Sequence, residues 1–184
     1  YMVKILMLIA PNNFRDEEYF KPKRILETEG FQVYTASRGV MEARSKLGNL
    51  VKIDIDIYNV NLNNFDVLVL VGGNGCLIYE KDQFILNLIR TAFSTGKIIA
   101  SICISPRILG ASGILKGKKI TMWNEDGSQD RFIHSWGAEF TDADVEIDDK
   151  LITAKGPEFS KEFGMEIAEV INMQNEKIDE NEEE

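Results

Sequence analysis

Three nearly unbroken apolar runs, at residues 3–9, 65–71 and 97–102, constrain this chain more than any other feature. Such runs fit strands buried on both faces of a sheet. Segments of helical period lie between them. Residues 17–29 carry Tyr19, Phe20, Ile25 and Leu26 and stop at Gly30, and residues 82–93 set Phe84, Ile85, Leu88, Ile89 and Phe93 on one face. Further strands are expected at 32–37, 120–123, 145–147 and 151–154. Strict alternation at 51–58 predicts a half-exposed edge strand. Helices at 106–109, 128–135 and 159–173 complete the pattern. Strands alternating with helices imply an α/β fold with a mainly parallel sheet covered on both faces, within one domain spanning residues 1–173. Sites in such sheets form at the carboxyl ends of strands.

Composition narrows the chemistry. The 184 residues carry 21 basic and 30 acidic side chains, a net charge of −9. Residues 174–184 hold six acids and one lysine, so this segment alone contributes −5 and is expected to be disordered. The mildly acidic remainder excludes nucleic acid as a bulk electrostatic partner, since phosphate binding needs clustered Lys and Arg. No apolar run is long enough to cross a bilayer, and the first one reads as a strand, not a signal peptide. There is one histidine, His134, and there are two cysteines, Cys76 and Cys103. Neither a disulfide framework nor metal-ligand spacing is present, so a cytoplasmic protein with reduced thiols and no metal or cofactor is expected. Any nucleophile must then be one of two thiols.

Two strand-end loops stand out. Ser101-Ile102-Cys103-Ile104-Ser105-Pro106 follows a buried strand and opens a helix. A nucleophile on such a turn needs small residues two positions to either side, a requirement Ser101 and Ser105 meet. Pro106 suits a first helical turn. The free N–H groups of the turn and the helix dipole are expected to lower the Cys103 pKa, and the Ile104 N–H is a candidate oxyanion donor. In the second loop, Gly72-Gly73-Asn74-Gly75, glycine allows close backbone approach and the Gly73 N–H is a second donor. A third segment, Asn12-Asn13-Phe14-Arg15-Asp16-Glu17-Glu18, leads into a helix containing Pro22, which cannot donate to the Glu18 carbonyl. An irregular backbone at Glu18 is therefore expected. A structural reading competes with each: a buried cysteine, a plain tight turn, a solvated acidic first turn.

Together these segments resemble the ThiJ/PfpI superfamily. The resemblance extends through Gly113-Ile114-Leu115-Lys116-Gly117-Lys118-Lys119 and Leu151-Ile152-Thr153-Ala154-Lys155-Gly156-Pro157 and covers nearly the whole chain. It implies a flavodoxin-like three-layer sandwich, related to class I glutamine amidotransferases, assembled as a homo-oligomer (dimer or hexamer). Cys103 then matches the nucleophile, Glu18 the carboxyl group that hydrogen-bonds it, and Gly73 and Ile104 the oxyanion amides. Gly72, Asn74, Ser105 and Trp123 are expected to line the site. The chain departs from the pattern at histidine. PfpI-type proteases carry one directly after the nucleophile, where this chain has Ile104, and the deglycase branch has one where this chain has Trp123. His134 belongs to the helix at 128–135 and is expected on its surface, and Glu125 and Asp126 are expected in an exposed loop.

Two activities fit. One is a cysteine hydrolase or deglycase-like chemistry on small carbonyl adducts or amides, with peptide cleavage disfavoured because general acid–base help is missing. The other is redox or stress sensing through oxidation of Cys103, stabilised by a protonated Glu18. Cys76 is expected to be a buried small residue more than a resolving thiol.

Overall fold

In a computed structural model, residues 2–182 are described, with side chains through residue 177. The chain begins with β1 (Lys4–Leu8), β2 (Asn12–Phe14), α1 (Asp16–Thr28), β3 (Gln32–Ser37), β4 (Glu42–Ser45), β5 (Leu50–Lys52), β6 (Ile55–Asp56) and β7 (Val67–Leu70). It continues with α2 (Gln83–Ser94), β8 (Ile98–Ile102), α3 (Pro106–Ser112), β9 (Lys119–Ile120) and α4 (Asp130–Trp136). Last come β10 (Glu139–Phe140), β11 (Val145–Asp148), β12 (Leu151–Ala154) and α5 (Ser160–Glu182). Seven strands form the central sheet in the order β11-β12-β8-β7-β1-β3-β6, parallel except for the β11–β12 pair.

Pleating assigns alternate residues of each strand to opposite faces. Leu6, Leu8, Leu68, Leu70 and Ile99 meet Ile85, Ile89, Ile108 and Leu109 from α2 and α3. Ile5, Met7, Val67, Val69, Ile98 and Ala100 meet Tyr19, Leu26, Phe163 and Ile167 from α1 and α5. This two-sided burial explains why the central strands read as continuous apolar runs, and the arrangement is the expected three-layer α/β sandwich.

The differences from expectation lie at the edges. The alternating segment 51–58 divides between two sheets. β5 joins a small sheet with β2 and β4, β6 closes the main sheet beside β3, and Ile57–Asn59 forms a 3-10 turn. Of the strand expected at 120–123, only Lys119–Ile120 pairs, with β10. Helix α1 is continuous through Glu18 and Pro22, so the irregularity expected at Glu18 does not occur. Pro22 sits where α1 meets α5, and the face of Gly164 makes room for it: a Cβ there would come 2.9 Å from the Pro22 Cα. Helix α5 runs to Glu182, through most of the acidic segment expected to be disordered. Extending a helix already anchored by Phe163, Ile167 and Ile171 is far less costly than nucleating one. No helix among the described residues is long and apolar enough to cross a membrane.

Candidate active site

Cys103 directly follows β8, and its φ of 64° lies in the left-handed region that side chains seldom adopt. Two backbone bonds hold the residue there. Its N–H donates to the Ala154 carbonyl at 2.9 Å, and its carbonyl accepts from the Trp123 N–H at 2.9 Å. Ser105 secures the turn from below. Its Oγ accepts from the Ile102 N–H at 3.0 Å and lies 2.9 Å from the Leu70 carbonyl and 2.6 Å from Ser101 Oγ. Both serines are fully buried, so Ser105 supports the elbow and does not line the cavity as expected. A turn this tight brings Ser101 and Ser105 into contact, leaving no room for larger side chains.

Glu18 projects from the first turn of α1 to the sulfur and is fully buried. Its two oxygens make no hydrogen bond of good geometry within the protein. The groups nearest to supplying one are the Cys103 thiol and the Gly72 N–H. Gly72 stands behind this pair, outside the cavity lining. A Cβ at Gly72 would come 2.3 Å from Glu18 Oε2 and 2.9 Å from the Cys103 Cβ, so only glycine lets the carboxyl and the elbow close on each other. Gly73 has φ of 93°, and a Cβ there would strike the Arg15 backbone nitrogen at 2.6 Å. The Arg15 N–H in turn donates to the Gly72 carbonyl at 3.1 Å, which ties the end of β2 to the glycine loop. The Ile104 N–H points to the sulfur. The Gly73 N–H has no acceptor among the described residues.

Burial governs the protonation of the pair. It raises the Glu18 pKa to about 8, against smaller opposing effects from Cys103, Gly72 and Arg15. Burial also pushes the Cys103 thiol up, reinforced by the adjacent Glu18 charge, while the Ile104 N–H acts in the opposite direction. The low thiol pKa expected from the turn is therefore corrected. Desolvation beside a carboxyl outweighs the dipole of a seven-residue helix. Loss of one proton from the two groups leaves a single negative charge shared across the pair.

A cavity of about 420 Å³ opens above the sulfur. Gly73, Asn74, Ile104 and Trp123 line it, as does Glu125, a residue expected only in an exposed loop. Arg15, Lys46 and Glu158 also reach it. Sequence reading passed over Arg15 and Lys46. Arg15 carried the only available signal, because its motif immediately precedes Glu18. His134 is exposed on α4 and is not among the lining residues, and no other histidine exists. Cys76 is buried in the 3-10 turn Asn74–Tyr79, where desolvation raises its pKa. Among the described residues no group of three or more His, Cys, Asp or Glu side chains is placed to hold a metal ion.

The sequence profile of the DJ-1/PfpI family matches residues 3–170. The chain belongs to the DJ-1/PfpI family. Within it, a deglycase from Pyrococcus horikoshii is 37% identical over 155 residues, covering 84% of this chain and 91% of that protein. A glutathione-independent glyoxalase from Caenorhabditis elegans is 27% identical, covering 90% of this chain and 87% of its own length. The crystal structure of a ThiJ/PfpI domain protein from Brachyspira murdochii superposes with a TM-score of 0.88 at 29% identity, covering 94% of this chain and 99% of that one. The flavodoxin-like fold of the DJ-1/PfpI family is thus the fold of this chain.

Proposed function

We propose that this chain is a cysteine-dependent enzyme acting on small reactive carbonyl compounds, a glyoxalase- or deglycase-type member of the DJ-1/PfpI family. One observation carries the reading: a strained cysteine and a fully buried carboxyl without a satisfied partner meet at the floor of an open cavity. The names of the Pyrococcus and Caenorhabditis relatives agree with it.

A carboxyl with a pKa of about 8 is suited to move protons near neutral pH. In its ionised form Glu18 takes the Cys103 proton as Sγ adds to an aldehyde carbon. The oxygen of the adduct lies between the Gly73 and Ile104 N–H groups and receives that proton, giving a hemithioacetal. With a 2-oxoaldehyde, Glu18 then removes the hydrogen of the former aldehyde carbon as a proton and returns it to the neighbouring oxo carbon, while the hydroxyl proton passes to the oxygen of that neighbour. Water cleaves the resulting thioester. The sum is one aldehyde and one water to one 2-hydroxy acid, with the thiol restored.

One carboxyl performs every proton transfer, so no histidine is needed. Oxidation sensing, the other reading of the sequence, requires a low-pKa thiolate, and burial moves Cys103 the other way. The test is turnover of methylglyoxal to lactate by the intact protein, Cys103→Ser and Glu18→Gln. Turnover should vanish in Cys103→Ser and fall about 100-fold or more in Glu18→Gln. Equal rates for intact protein and Cys103→Ser would overturn the reading.

A further inference from the structure

The cavity above Cys103 is electrically lopsided. Arg15 and Lys46 come from the segments after β2 and β4, on the β1 side of β8, while Glu125 and Glu158 come from the β9 and β12 side. Cys103 stands between them at the end of β8. A neutral 2-oxoaldehyde makes no use of this field.

Lys46 is held in place with unusual care for an exposed lysine. Its N–H donates to the Phe14 carbonyl at 2.8 Å, which fastens β4 to β2. The turn that follows is gripped by Asp16, itself only 5% exposed. The Asp16 carboxylate accepts from the Leu47 N–H at 3.1 Å and from Asn49 Nδ2 at 2.8 Å. Asn49 N–H closes the turn on Ser45 Oγ at 2.9 Å. The backbone of Lys46 is thereby fixed to the first turn of α1, the same turn that presents Glu18.

Its ammonium nevertheless has no carboxylate or carbonyl partner among the described residues. Arg15 is engaged by Glu17 through Nε alone at 2.8 Å, so both terminal nitrogens keep their donors. Two cations at one wall with unused donors, facing two carboxylates at the other, form a site for an anion of defined orientation.

We propose that Arg15 and Lys46 form an anion-binding wall that selects 2-oxoaldehydes bearing a carboxylate on a short spacer. The proposal rests on the Cys103–Glu18 chemistry described above. Attraction to Arg15 and Lys46 and repulsion from Glu125 and Glu158 turn the carboxylate toward the β1 side. The aldehyde is left over the sulfur. With 4,5-dioxopentanoate, Sγ bonds to the aldehyde carbon, whose oxygen takes the thiol proton; the hydrogen of that carbon then moves to the adjacent oxo carbon and the hydroxyl proton to the oxygen of that neighbour. Water then cleaves the thioester to give 2-hydroxyglutarate and free thiol. The aldehyde carbon is oxidised as its neighbour is reduced, so no external oxidant or reductant enters.

The test compares kcat/KM for 4,5-dioxopentanoate and methylglyoxal in intact protein, Lys46→Ala and Lys46→Glu, at low and high salt. The intact protein should favour the carboxylate-bearing substrate, and the preference should shrink with added salt. The ratio of the two values should fall about fivefold in Lys46→Ala, the size expected for one exposed charge pair, and further in Lys46→Glu. Lys46→Arg should restore it. In parallel, calorimetry follows binding of 2-hydroxyglutarate to Cys103→Ser with and without Lys46→Ala. A ratio near one, or one unmoved by either variant, overturns the proposal. Failure to turn over both aldehydes, with 2-hydroxyglutarate still bound through Lys46, overturns the proposed reaction and the substrate assignment and leaves only an anion site. Failure to bind 2-hydroxyglutarate overturns the wall itself.

Discussion

Glu18 is the residue whose environment most directly sets the behaviour of the site. Its pKa of about 8 lies well above the 4.5 of an ordinary glutamate because burial penalises the charge and no hydrogen bond of good geometry offsets it. The sign of the consequence follows. Below about 4.5 both folded and unfolded chains hold the proton, and Glu18 costs nothing. Between 4.5 and about 8 the unfolded chain ionises while the folded one does not, so stability falls as pH rises, and above about 8 the loss is constant. Glu18→Gln should therefore raise the melting temperature at pH 8.5 and leave it unchanged at pH 4. At about 1.4 kcal/mol per pKa unit the gain amounts to a few kcal/mol. In the intact protein kcat/KM should rise about tenfold per pH unit up to about 8 and then level off, as the singly charged pair forms. A profile in Glu18→Gln that keeps the same limb would assign the titration to another group. The sequence placed a glutamate at the right position, but burial comes from Gly72 and Cys103, residues 54 and 85 positions away in the chain, and no local signal reports it.

At the scale of elements, the elbow is the junction of β8 with α3. Its two small residues were legible as a spacing requirement. Their hydrogen bonds were not, because one partner, the Leu70 carbonyl, comes from β7, 35 positions away from Ser105. Ser105→Ala would strand the buried Ile102 N–H and Ser101 Oγ. A loss of about 1–3 kcal/mol in denaturant unfolding is expected, with a fall in kcat as the strained Cys103 relaxes. An unchanged unfolding midpoint would show that water replaces the hydroxyl. The same scale explains the missed edge strands. β2 and β4 are three or four residues long and gain their stability from one another, from β5 and from Asp16, so their sequences carry little strand signal of their own.

Across the whole molecule, the placement of Glu18 rests on a helix crossing one turn further along α1. Helices α1 and α5 cross where Gly164 meets Pro22 and Ile25, with a Cβ at Gly164 only 2.9 Å from the Pro22 Cα. Gly164→Val should push α1 outward and carry Glu18 away from Cys103. The expected result is a destabilisation of about 1–3 kcal/mol and a loss of activity together, measured by thermal unfolding and aldehyde turnover. Full activity in a destabilised variant would show that Glu18 is positioned by the glycine loop alone.

The apolar runs by themselves determined the layered α/β architecture, because a strand covered on both faces has no polar position to offer. The small residues around Cys103 determined the tight strand-to-helix turn in the same way, by steric exclusion. The tertiary structure alone decided the charge state of the Cys103–Glu18 pair, since desolvation depends on neighbours that the fold assembles. It also decided which ionic side chains line the cavity above Cys103. Arg15 and Lys46 are 31 positions apart in sequence and meet only because β2 pairs with β4.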